Sequence, residues 1–189
     1  MRVQVAISPA TRPRCKAKPV RIHLLERSQR VPVSVAQAFA FYGDDRNLEP
    51  LTPPWLHFVV TSPRPLTMRA GTLLEYRLRL HGVPLRWRTR IETWEPPHRF
   101  TDYQEQGPYS LWEHTHLFES DGSGATVIHD RVRYAIPLGP LGALAHRAFV
   151  RRDLERIFDY RRDAVAERIG TEEGREKRPR LDSNQRPSA

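Results

Sequence analysis

The chain has a single cysteine, Cys15, among its 189 residues. A lone thiol excludes an internal disulfide framework and a cysteine-based zinc site, and it fits a reducing compartment. No apolar run approaches the roughly 20 residues that span a bilayer. The start of the chain lacks the apolar core of a secretory signal, so a cytoplasmic protein without stable membrane insertion is expected. A Gly-rich phosphate loop, a Gly-x-Ser-x-Gly elbow and internal repeats are also missing, which removes the common nucleotide-binding, hydrolase and solenoid signatures.

Basic charge is abundant, at a formal net charge of +9. Its distribution argues against nucleic acid as the partner. Residues 1–18 carry +5 with no acid and residues 170–189 carry +1, leaving +3 for the body. Arg147, Arg151, Arg152, Arg156, Arg161 and Arg162 crowd the last helical stretch, but Asp153, Glu155, Asp159 and Asp163 are interleaved with them, as on a solvated, ion-paired helix. The expected organisation is a disordered basic extension over 1–18, one domain over 19–169, and a disordered charged tail over 170–189. With 39% hydrophobic residues the body can bury a real core.

The period of the apolar pattern changes along the body. Alternation from Val20 to Leu25 predicts a first strand. Ser34 and Gln37 have capping-box spacing, and Val35, Ala38, Phe39 and Tyr42 share a helical face. A second helical turn is expected over 47–55, stopped by proline at Pro53. Strand periodicity then runs to residue 136. Leu74, Tyr76, Leu78 and Leu80 oppose Glu75, Arg77 and Arg79; Leu85, Trp87, Thr89 and Ile91 oppose Arg86, Arg88, Arg90 and Glu92. Over 141–169, Leu144, Ala148, Arg151, Leu154, Ile157, Phe158, Arg161 and Val165 recur at three-to-four spacing, which predicts one long amphipathic helix.

The order strand, two short helices, meander, long helix describes an α+β helix-grip fold, a curved antiparallel sheet of about six to seven strands wrapped around a C-terminal helix. Val31-Pro-Val-Ser-Val-Ala-Gln-Ala-Phe39, Glu49-Pro-Leu-Thr-Pro53, the Gly-Pro-Tyr-x-x-Trp-x-His-x-His-x-Phe run at 107–118, and Asp130-Arg-Val-Arg-Tyr followed by Pro137-Leu-Gly-Pro-Leu-Gly carry a resemblance. With these residues the chain resembles the SRPBCC superfamily of START and polyketide-cyclase-like proteins. It is most similar to a bacterial subgroup of small proteins that also occurs fused to an epimerase-like domain. The resemblance implies a hydrophobic cavity between sheet and helix more firmly than it implies a reaction.

The run Leu-Trp-Glu-His-Thr-His-Leu-Phe-Glu at 111–119 is the most informative segment. Side chains alternate along a strand, so Trp112, His114, His116 and Phe118 share one face and Glu113 and Thr115 the other. In the following strand Ile128, Asp130, Val132 and Tyr134 share the inner face. Arg131 and Arg133 then point outward and are expected to pair with Glu113. Three-residue loops at Gly107-Pro-Tyr and Gly122-Ser-Gly would place Asp102 opposite His114, Phe100 opposite His116, and His116 opposite Asp130, giving each histidine its own carboxylate.

The expected ligand contacts are therefore Tyr76, Trp87, Phe100 and Asp102, then Trp112, His114, His116 and Phe118, and finally Asp130 and Tyr134. Their aromatic rings would also form core, and in a partly hollow helix-grip fold the two roles coincide. Three readings fit the histidines. Two histidines at alternate strand positions make a weak metal motif, and no third histidine is clearly aimed at them, so neither metal nor cofactor is expected. A His-Asp pair in a dry cavity would suit cyclase, dehydratase or isomerase chemistry, with His114, His116, Asp102 and Asp130 as catalytic candidates. The preferred reading is that they are hydrogen-bonded wall residues giving polar handles to an apolar pocket. The partner expected is a small hydrophobic, aromatic or lipid-like ligand. Nothing in the sequence marks a dimer seam.

Overall fold

A computed structural model describes residues 21–170. The predicted terminal extensions, Cys15 and Val20 lie outside the described residues, apart from Gly170. The elements are β1 (His23–Val31), α1 (Val35–Tyr42), 3-10 turns at Asp45–Asn47 and Pro54–Leu56, β2 (Val59–Val60), β3 (Leu73–Leu80), β4 (Val83–Glu95), β5 (Arg99–Gln106), β6 (Leu111–Ser120), β7 (Thr126–Ala135), α2 (Gly139–Ala145), a π-helical turn over His146–Val150, and α3 (Arg151–Gly170). The strands form one antiparallel sheet in the order β1-β7-β6-β5-β4-β3-β2. Two register breaks between β4 and β5, at Arg88/Thr89 and Ile91/Thr93, help bend the sheet, and it grips α3 as the sequence anticipates.

Local chemistry explains the entry to the fold. The Ser34 hydroxyl accepts from the Gln37 backbone N–H at 3.4 Å, and the Gln37 side chain accepts from the Ser34 N–H at 3.1 Å. That reciprocal cap starts α1, which turns Ala38, Phe39 and Tyr42 inward. The helical turn expected to end at Pro53 is instead two separate 3-10 turns. Pro54 opens the second one rather than stopping a helix, because the first helical position needs no N–H and the ring already fixes φ.

The long helix also departs from its simple periodic reading. Leu154, Phe158 and Val165 are buried as expected, but Leu144 is 65% exposed and Ala148 and Arg151 face solvent. The π-helical turn over His146–Val150 is the reason. Its wider repeat rotates the face that follows it, so one apolar stripe cannot continue through both halves.

Two apolar clusters form the core. One gathers Val31, Ala38, Phe39, Tyr42, Phe100, Phe118, Ile128 and Val165. The other gathers Leu25, Trp87, Trp112, Val132, Tyr134, Leu154 and Phe158. Along β6, Trp112 belongs to the second cluster and Phe118 to the first. His114 and His116 lie between them, buried to 4% and 2% exposure.

Candidate functional site: a His-Asp ring at the wall of a cavity

The register that positions the site is the one the sequence implies: Asp102 opposite His114, Phe100 opposite His116, and His116 opposite Asp130. The loops that set it differ. Asp121 N–H bonds the Ala125 carbonyl at 3.1 Å, and Gly122 and Gly124 both take positive φ, so the three-residue loop forms. At Gly107-Pro-Tyr, ladder pairing ends at Tyr103–Glu113 and the expected Gln106–Ser110 pair is absent. There the buried Gln104 donates from Nε2 to the Tyr109 carbonyl at 2.7 Å and holds a wider loop in place. On the outer face Arg133 pairs with Glu113 at 2.9 Å, whereas Arg131 turns to Glu26 of β1 at 3.4 Å, correcting the expectation that both share Glu113.

The histidines do not take one carboxylate each. His114 donates from Nε2 to Asp130 Oδ1 at 2.9 Å, and its Nδ1 lies 3.6 Å from Asp102 Oδ2. His116 Nδ1 lies 2.8 Å from the same Asp130 oxygen but off the line of a hydrogen bond, and its Nε2 lies 3.5 Å from Asp102 Oδ2. The result is a ring, Asp130–His114–Asp102–His116, with both carboxylates shared. Asp130 reaches diagonally as well as straight across because neighbouring pairs on an antiparallel ladder lie within side-chain reach. Phe100 stacks on His116 at 4.2 Å between ring centres, and the two imidazoles lie 3.9 Å apart.

This packing drives the two histidines apart electrically. Burial is the largest influence on both and opposes charge. At His116 the Asp102 and Asp130 carboxylates outweigh burial and raise its pKa. At His114, burial and the neighbouring His116 prevail and lower it. Burial also resists ionisation of Asp130, but the hydrogen bond from His114 and the close approach of His116 hold it well below the usual carboxylate range. The ring therefore favours the charged form at His116 and the neutral form at His114.

One ligand atom from each of Asp102, His114 and His116 lies within 4.8 Å of the others, close enough to hold a divalent ion.

The ring borders a cavity of about 190 Å³. Among the residues expected to contact ligand, Tyr76, Trp87, Phe100, Asp102, Trp112, His114 and His116 line it. Asp130, Phe118 and Tyr134 do not. Asp130 stands behind the histidines, Phe118 is fully buried in the first cluster, and the Tyr134 hydroxyl is bonded to His146 at 2.9 Å. Inner-face parity brings all ten to one side of the sheet, but only those on β3, β4, β5 and the first part of β6 reach the hollow. Thr89 joins the lining and ties two aromatic walls together, accepting from Trp87 Nε1 at 3.0 Å and meeting the Tyr76 hydroxyl at 3.0 Å.

The residue the sequence reading misplaced is Arg161. Counted among the surface arginines, it instead lines the cavity, with its guanidinium 5.7 Å from the centre of the Tyr42 ring. Its signal was present, since it falls in the same three-to-four series as Leu154, Ile157 and Phe158, which line the cavity too.

The sequence matches the family described as polyketide cyclase/dehydrase and lipid transport over residues 23–170. No curated protein matches it. Among solved structures, it is similar to the Zhui aromatase/cyclase from Streptomyces sp. R1128, with TM-score 0.64 and 13% identity over 80% of this chain and 96% of that one. It is also similar to the protein TTHA0849 from Thermus thermophilus, with TM-score 0.61 and 17% identity over 78% and 97%. Norcoclaurine synthase from Thalictrum flavum aligns with TM-score 0.60 and 11% identity over 88% and 97%. At such identities the structural likeness establishes the helix-grip fold, and the family match establishes descent: the chain belongs to the polyketide cyclase/dehydrase and lipid transport family of the SRPBCC superfamily.

Proposed function

We propose that residues 19–169 form a single domain that binds a small hydrophobic, aromatic or lipid-like ligand between the sheet and α3. The observation that carries this reading is the cavity itself, about 190 Å³ with aromatic walls and polar groups converging on it. A dry apolar cavity of roughly 150 Å³ already takes a benzene ring, so the space suits one substituted ring, a small bicycle or a comparable chain. Native mass spectrometry of freshly purified protein, followed by solvent extraction, should recover such a compound or show uptake from a library of small aromatics. A protein that takes up none of them would refute the proposal.

The outer arginines support a small-molecule partner over nucleic acid, because many are already paired: Arg90 with Glu105, Arg151 with Glu155, and Arg162 with Asp159 and Asp163. Among the described residues no helix is long and apolar enough to cross a membrane, and a cytoplasmic location remains our reading.

A second reading rests on the divided histidines. Neighbouring titratable groups with pKa values pushed apart are the arrangement of a general acid and a general base, and His114 and His116 both line the cavity. In this reading the domain is a cyclase-, dehydratase- or isomerase-like enzyme. The probe is deuterium wash-in at the α-carbon of 2-indanone. Wild type should accelerate exchange, and His114→Asn and His116→Asn should each remove the acceleration while the ketone still binds. Exchange at the uncatalysed rate in wild type with the ketone bound would leave the histidines as wall residues only.

A further inference from the structure

Arg161 has no carboxylate within ion-pairing distance among the described residues, and its Nε is buried without a hydrogen-bond partner. Its acidic neighbours on α3 are engaged elsewhere: Asp159 and Asp163 face Arg162, and Asp159 also approaches Arg27 at 4.0 Å. Asp102, the acid of the His-Asp ring that borders the cavity, is in ion-pair range of both imidazoles and not of Arg161. A guanidinium does not lose its proton in a protein, so desolvation cannot be relieved by neutralising it. The Tyr42 ring, its centre 5.7 Å from the guanidinium carbon, gives a modest cation-π attraction. It does not satisfy the buried Nε–H.

A half-buried guanidinium whose Nε is buried and unpaired, beside an apolar hollow, is a recognition element for an oxyanion. Leu154 and Phe158 lie seven and three residues before Arg161 on the same helix, so α3 presents apolar wall and cation on one face. Resting on the ligand-binding reading above, we propose that the cavity is selective for carboxylates on a ring-sized apolar body, with Arg161 binding the carboxylate and Trp87, Leu74 and their neighbours enclosing the ring.

The test compares 4-methylbenzoate with 4-methylbenzamide, which match in shape and differ in charge, by calorimetric titration of the full chain. Wild type should bind the acid about tenfold or more tightly than the amide, as expected for a hydrogen bond to a charged group. Arg161→Met should lose that preference while keeping the amide affinity. Arg161→Lys, a point charge without the planar fork, should retain part of it. Equal binding of acid and amide by wild type overturns the inference while leaving the cavity reading intact, and so does a preference that survives in Arg161→Met. If the Met variant does not fold, the Lys variant decides: an undiminished preference there also overturns it. Failure of wild type to bind either probe is a different result, which refutes the cavity reading and this inference together.

Discussion

The two faces of β6 and β7 carry the same kinds of residue to opposite ends. Outward, Glu113 pairs with Arg133 across the ladder at 2.9 Å, with side chains 31% and 43% exposed. Inward, one residue along, His114 and His116 are shared between Asp130 and Asp102 with almost no solvent contact. The outer pair sits in water, where Coulomb attraction is screened and long side chains lose freedom on pairing. Within the inner ring each charge has lost its hydration, so each depends on its partners. Strand parity alone decides which regime a charged residue enters.

The comparison is broken most directly at Asp130. Asp130→Ala removes the carboxylate that both histidines share, and the cost should be about 3–5 kcal/mol, as for other buried pairs stripped of one partner, read by urea unfolding at neutral pH. A loss below about 1 kcal/mol would mean the ring behaves like a surface pair, in the range typical of those.

The next effect is a change of sign with pH. Because the folded state raises the His116 pKa, the stabilisation from its charged form is fully present below the unfolded value of about 6.5 and is lost as pH rises through the raised value. His114 has a lowered pKa, so the folded state favours its neutral form and loses stability as pH falls below about 6.5. Wild type should therefore exceed His116→Gln by a wider margin at pH 6 than at pH 9, and exceed His114→Gln by a wider margin at pH 8 than at pH 5. Parallel trends in the two variants would contradict the divided ring.

The smallest effect belongs to the outer face. Glu113→Ala should cost no more than about 1 kcal/mol, and raising the salt concentration should shrink the difference further. A salt-insensitive loss of several kcal/mol would show that the two faces are not distinct regimes.

What sequence could reveal here follows the same division. Period-two alternation and a buried side fix the parity of the register, because a slip of one residue would turn Trp112, His114, His116 and Phe118 outward together, and the turn signals choose among the registers of that parity. That is why the Asp102–His114 and His116–Asp130 alignments were readable before any coordinates. Sharing within the ring was not readable, since register fixes backbone neighbours and leaves diagonal reach to side-chain geometry. The π-helical turn at His146–Val150 left no periodic mark that separates it from a continuous helix, so Leu144 was placed with the core. Arg161 fitted two patterns at once, an apolar series and a run of charges; only the packing of α3 against Tyr42 decides between them.

That helix also works as a measuring rule. Leu154 and Arg161 both line the hollow, and seven residues of α-helix at 1.5 Å each place their backbones roughly 10 Å apart. In the proposed complex the separation between the greasy end of a ligand and its carboxylate would thus be set by a rigid rod, not by adaptable loops. Shifting Arg161 by one turn along the rod would offer a way to re-size the cargo without rebuilding the walls.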